Sequence, residues 1–156
     1  MALPEVFTSL QNGTAFFVST SLIAMGGTAT LLGSTDQLLQ VFGDLPLNLP
    51  STRVTVEIKI IGLAVLFAYA FFKFSWAYRI FNYAAILLGS LPPVTRKDEP
   101  EAIEEAAVAA RMNTVAGRHF NHGQRAFFFV VAYLGWFAGP IIFLVTTAAV
   151  LVVMWN

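Results

Sequence analysis

The sequence predicts an all-α membrane protein with three transmembrane helices and a cytoplasmic surface helix. Three observations carry that prediction. The 156 residues are 57% hydrophobic and only 12% charged, against roughly 25% charged in an ordinary soluble domain. The runs Val6–Thr35 and Ala126–Trp155 contain no charged residue, and each exceeds the roughly 20 residues that a bilayer-crossing helix needs. Between them the cations concentrate: Lys73 to Arg125 holds seven of the nine Lys and Arg residues.

The length suits one helical membrane domain over residues 1–156. Nine basic and nine acidic residues cancel, so nothing in the net charge points to nucleic acid. The chain has no Cys, which excludes disulfides, thiolate metal sites and cysteine nucleophiles. Its N-terminus lacks the basic region of a signal peptide, so the first apolar stretch is expected to be retained.

Residues Met1 to Gln11 read as an interfacial lead-in, and the first span is expected over 13–32. Within it Ser19, Gly26 and Gly33 recur every seven residues, and Thr20, Ala24 and Thr28 every four. Small residues on one face let helices approach closely in lipid, so Ser19, Gly26 and Gly33 are the expected packing face. Gly33 to Thr52 reads as a loop, with a short helical turn over Gln37–Phe42 capped by Ser34 or Thr35. The second span is expected over 58–79. Lys59 and Arg79 mark its ends, with their stems snorkelling to the headgroups, and Trp76, Tyr78 and Tyr83 form an interfacial aromatic belt. Leu91-Pro92-Pro93 ends that helix.

A polar helix is expected over 100–121. Pro100 suits its first position, its acids come early, and Arg111 follows. It is too polar to span. The third span is expected over 126–153. It contains Gly135-x-x-x-Gly139, a close-packing signature, and Pro140, which should kink it. The cation distribution then makes segment 80–125 cytoplasmic. The N-terminus lies inside and the C-terminus outside, in the bacterial inner membrane.

Three blocks carry a family resemblance. They are Gln11-Asn-Gly-Thr-Ala-Phe-Phe-Val-Ser-Thr-Ser-Leu-Ile-Ala-Met-Gly-Gly; Phe71-Phe-Lys-Phe-Ser-Trp-Ala-Tyr-Arg-Ile-Phe-Asn-Tyr with Leu91-Pro-Pro; and Met112-Asn-Thr-Val-Ala-Gly-Arg-His-Phe with Trp136-Phe-Ala-Gly-Pro140. In these blocks the chain resembles the uncharacterised membrane-protein family known as domain of unknown function 599. The resemblance implies a helical membrane protein and brings no activity with it. It also implies a further membrane helix ahead of the Gln11 block, which makes this chain a short or N-terminally truncated member.

The candidate site residues lie mostly in one polar seam. Arg111, Arg118 and Arg125 are spaced by seven and drift only about 20° per step on a helix. With His119 and His122 they are the candidate contacts for anionic lipid headgroups or an acidic partner; the alternative is plain positive-inside anchoring. Gly117 and Gly123 can interrupt this stripe, and the seam reads as a hinge between surface helix and last span. His119 and His122 share a helical face but lack a third ligand at metal spacing, so no metal or cofactor is expected. Lys73 and Arg79 are the candidate intramembrane charges; the alternative is snorkelling.

There is no Walker loop, dinucleotide glycine pattern, Ser-His-Asp set or zinc motif. The expected function is therefore non-enzymatic: an accessory or structural component of a homo-oligomer or larger membrane complex. One alternative is a small-solute or ion transporter with a path between protomers, motivated by Lys73, Arg79 and the break at Gly139-Pro140. Another is an anionic-lipid-binding protein acting through the arginine–histidine seam.

Overall fold

The computed structural model describes residues 3–44, 52–90 and 100–155, and every one of these outside Ser34, Thr52, Ser90 and Gly139 is helical. In chain order the helices are α1 (Leu3–Gly33), α2 (Thr35–Asp44), α3 (Arg53–Gly89), α4 (Pro100–Ala138) and α5 (Pro140–Trp155). By length and composition α1, from Glu5, and α3 are able to cross a membrane; α5 is equally apolar but only 16 residues long. The Leu91-Pro92-Pro93 turn and the prolines Pro46 and Pro50 lie outside the described residues.

The helix ends follow local chemistry. The Ser34 carbonyl accepts from Leu38 N at 3.2 Å, which makes Ser34 the cap of α2. Thr52 caps α3: its Oγ1 accepts from Thr55 N at 3.3 Å and its carbonyl from Val56 N at 3.1 Å, satisfying donors that a helix start leaves open. Pro100 and Pro140 each occupy a first helical position, where the missing N–H costs nothing.

The chain divides into two compact units, Met1–Ser19 with Phe72–Gly123, and Thr20–Phe71 with Gln124–Asn156. In the first unit α3 and α4 run antiparallel, since Phe74 meets Gly123, Trp76 meets His119, and Ala77 and Phe81 cluster with Ala116. The α4 side of this contact is a row of small residues: Ala102, Ala109, Ala116 and Gly123, each seven after the last and all buried. Phe74 is fully buried, which contributes roughly 1.5–3 kcal/mol. It stacks on Phe17 of α1 at 4.9 Å and meets Phe120 at 5.4 Å. A methyl group at Gly123 would sit 2.7–2.9 Å from the Phe74 ring, so only glycine admits that ring.

In the second unit α3 and α4 are again antiparallel. Lys59 meets Trp136, Gly62 meets Tyr133, and Phe67 meets Phe127. The Tyr133 hydroxyl fills the space a Gly62 side chain would need. α2 joins through Phe42 against Phe137 at 6.4 Å and through the Asp36–Arg53 ion pair at 3.1 Å.

At two places the packing within the chain departs from the sequence expectation. On α1 the inward residues are Thr14, Ser21 and Thr28, each at most 3% exposed, and Thr35 at the start of α2 is buried too. Ser19, Gly26 and Gly33 are exposed, and nothing lies near either glycine. Ser21 and Thr28 follow Ser19 and Gly26 by two positions, roughly 200° around the helix. The buried hydroxyls fit because they bond back into the helix: Thr14 Oγ1 donates to Leu10 O at 2.7 Å and Thr28 Oγ1 to Met25 O at 2.7 Å, which spares them an unsatisfied burial.

The expected single span over 126–153 is instead a helical hairpin. α4 continues from Pro100 past the expected end of a surface helix and stops at Ala138. Gly139 then takes φ 133°, a conformation that side chains oppose. After it α5 turns back: Thr146 Oγ1 donates to Ala132 O at 3.0 Å. A continuous helix would separate those residues by about 21 Å. Gly135 makes the reversal close, since a methyl group there would meet Thr146 and the backbone of Ile142 and Phe143 at 3.2 Å.

Candidate functional site

α4 passes Gly117 and Gly123 without interruption. Arg111, Arg118 and Arg125 consequently lie along one exposed stripe, and each step of seven residues carries the stripe about 10.5 Å along the axis. The expected hinge is absent from this seam, because a helical glycine costs only about 1 kcal/mol and Gly123 is held against Phe74. The three arginines line up but do not converge.

A convergent group does form, on the two facing helices of the first unit. Trp76 of α3 meets His119 of α4 edge to face at 6.4 Å. The Arg79 guanidinium lies 6.0 Å from the centre of the Trp76 ring and donates to Tyr83 Oη at 3.2 Å. His119 is half-buried, and its Nδ1 has no hydrogen-bond partner. Its imidazole is held below the ordinary value of 6.5, first by burial and then by electrostatic repulsion from Lys73 and His122. Lys73 is half-buried, while Arg79 and His122 are exposed. Among the described residues no three His, Asp or Glu side chains approach closely enough to hold a metal ion.

In the second unit the break at Gly139 is held by a residue whose role the sequence did not disclose. Lys59 Nζ donates to the Trp136 carbonyl at 2.8 Å and lies 5.3 Å from the Trp136 ring centre and 5.7 Å from that of Phe137. The Trp136 carbonyl belongs to the last turn of α4, whose carbonyls have no partner within the helix. Lys59 thus caps α4 from a neighbouring helix rather than extending toward headgroups. One signal was available: Ala132 and Thr146 stand seven residues either side of Gly139, the register of a hairpin.

Two open hollows border the first unit. One, of about 650 Å³, is lined by Glu5, Thr8, Ser9, Asn12 and Gly13. The other, of about 300 Å³, is lined by Leu87, Glu101, Glu104, Glu105 and Val108. Both are shallow and open.

No curated protein and no solved structure matches this chain. The family described as "Protein of unknown function, DUF599" matches residues 2–156, a range that includes all three sequence blocks, and the chain belongs to that family.

Proposed function

We propose that the chain is an integral membrane protein without catalytic activity, serving as an accessory or structural component of a homo-oligomer or a larger complex in a bacterial inner membrane. The observation that carries this reading is the apolar surface the chain leaves uncovered. Only 11% of the apolar window of α1 and 22% of that of α3 is buried. Ile23, Phe72, Ile86 and Ile141 are each more than 65% exposed. Lipid tails or partner helices are the natural cover for such faces. The Ser19, Gly26 and Gly33 row, unused within the chain, is open to a second copy.

The topology goes with this reading. α1 and α3 cross the bilayer. In place of a single third span, α4 crosses from Arg125 to Gly139 and α5 returns. Fourteen residues separate Arg125 from Gly139 and Lys59 from Lys73, about 21 Å in each case. The snorkelling stems of Lys73 and Arg125 extend this toward the roughly 30 Å hydrocarbon core. Segment 80–125 and both termini are then cytoplasmic.

The absence of native cysteine makes the test direct. Single cysteines at Asp36 and Trp155 are labelled with an impermeant maleimide in intact cells. Labelling at 36 and protection at 155 is expected; labelling of both sinks the hairpin topology. Native gels and crosslinking in membranes address assembly, and a strictly monomeric chain ends that part of the proposal.

A further inference from the structure

The carbonyl of Trp136 is left open by the sequence itself. In a continuous helix its partner would be the N–H four residues on, and that residue is Pro140, which has none. The C-terminal end of α4 also carries the negative pole of the helix dipole. Lys59 of α3 meets both demands. Its Nζ donates to this carbonyl at 2.8 Å and lies over the Trp136 and Phe137 rings, 5.3 and 5.7 Å from their centres. Both distances fall inside the roughly 6 Å limit for attraction between a cation and an aromatic face.

The niche keeps its shape through contacts in which Lys59 takes no part. The Trp136 ring meets Tyr133 edge-on at 5.3 Å and Phe143 of α5 at 5.9 Å. Phe137 is flanked by Tyr133 at 6.5 Å and by Phe42 of α2 at 6.4 Å. Beside them the reversal is fixed by Gly139 and by the bond from Thr146 to the Ala132 carbonyl. All these residues belong to the second unit. The groups that hold the ammonium are neutral: one carbonyl oxygen and two ring faces. The Glu57 carboxylate, two residues before Lys59, is engaged by Arg53 at 2.8 Å. A carbonyl calls for an N–H donor and the ring faces for positive charge, and a primary ammonium offers both. A quaternary ammonium lacks the donor, and an alcohol lacks the charge.

We propose that the Trp136 carbonyl and the faces of Trp136 and Phe137 form a binding site for a primary alkylammonium group, and that Lys59 is its tethered occupant. The site belongs to the end of the hairpin rather than to Lys59. A free amine of matching size therefore occupies it once the lysine side chain is shortened. n-Propylammonium is that amine, since alanine keeps Cβ and lacks only the outer methylenes and the ammonium of lysine. No covalent bond is made or broken. The site goes beyond the accessory role proposed above and depends on neither its topology nor its assembly.

The test measures the thermal midpoint of the full chain in detergent micelles. Lys59→Ala is expected to lower it by about 3 °C or more. n-Propylammonium chloride at tens of millimolar should return at least half of that loss and leave the wild type, whose site is filled, unchanged. Lys59→Met fills the space with an uncharged chain, so the amine should not raise its midpoint. n-Propanol and tetramethylammonium chloride, which lack the charge and the donor respectively, should return little in Lys59→Ala. An unlowered midpoint in Lys59→Ala overturns the proposal, as does a lowered midpoint that the amine does not raise. An equal rise with n-propanol or tetramethylammonium, in Lys59→Met or in the wild type also overturns it, since the gain then arises outside the niche. If Lys59→Ala is recovered only as aggregate, the yield of monodisperse protein extracted with and without n-propylammonium replaces the midpoint. A yield that depends on the amine and not on n-propanol is the expected result, and a yield indifferent to the amine overturns the site.

Discussion

The two units pack the same pair of helices in opposite ways. In the first, α4 presents Ala102, Ala109, Ala116 and Gly123, and α3 fills the space with Phe74 and Phe81. In the second the arrangement is crossed: α3 contributes Gly62 and α4 the large side chain of Tyr133. Their charges differ too. The second unit holds only Asp36, Asp44, Arg53, Glu57, Lys59 and Arg125, while the first holds most of the remaining acids and bases. The lesson is that one antiparallel pair serves two environments. Ionisable side chains sit around a dry aromatic knot in one unit. In the other an open helix end is met internally by Lys59.

The largest test of this contrast is Phe74→Ala. It empties the space between Phe17, Phe120 and Gly123, at a cost of about 3–5 kcal/mol. Hydrogen exchange in micelles should show the loss in the first unit; equal loss across Thr20–Phe71 would make the two units one cooperative body. Next is Gly135→Leu, expected to cost about 1–3 kcal/mol by overpacking the hairpin, with exchange increasing in α5 and not near Phe74. Unaltered protection of α5 would refute the close reversal.

Lys59→Met keeps the aliphatic stem and removes the donor to Trp136. The expected loss is about 1–3 kcal/mol, the range for a hydrogen-bond acceptor left unpaired, read as a lower thermal midpoint. An unchanged midpoint would deny Lys59 its capping role.

A smaller effect should appear in pH dependence. The His119 imidazole is held below its ordinary value in the folded chain. Above about pH 6.5 both folded and unfolded forms are neutral there, and the group contributes nothing. As pH falls below 6.5 the unfolded form takes up the proton first, so stability drops. His119→Gln should lessen the fall in thermal midpoint between pH 7.5 and 5.5; an identical fall would mean the burial and the Lys73 charge do not act on it. The smallest effect is expected from Arg53→Gln. It breaks the exposed pairs with Asp36 and Glu57, worth less than about 1 kcal/mol.

Legibility differed element by element. The helices were readable, because long apolar runs bounded by Pro, Gly and charge leave few other solutions. The packing face of α1 was not, since Ser19-Gly26-Gly33 and Thr14-Ser21-Thr28 are both seven-residue rows on one helix. Small size favoured the first row, but the second is buried, with the Thr14 and Thr28 hydroxyls satisfied by carbonyls of their own helix. The alanine row on α4 was present in the sequence and marks a close neighbour; helical propensity alone also explains alanine, which conceals it. Among the candidate residues, the seam arginines were visible and separate along the axis. The meeting of Trp76 with His119 depended on which face of α3 turns toward α4.

The sequence by itself determined the helical class and the family, and of the three spans it predicts, the first two fall on the helices long and apolar enough to cross a membrane. Those depend on composition and run length, which no contact can alter. Only the tertiary structure decided that Gly139-Pro140 reverses the chain. A glycine before proline permits either a kink or a reversal. The choice depends on contacts remote in sequence: Thr146 on Ala132, Gly135 against the α5 backbone, and Lys59 on the Trp136 carbonyl.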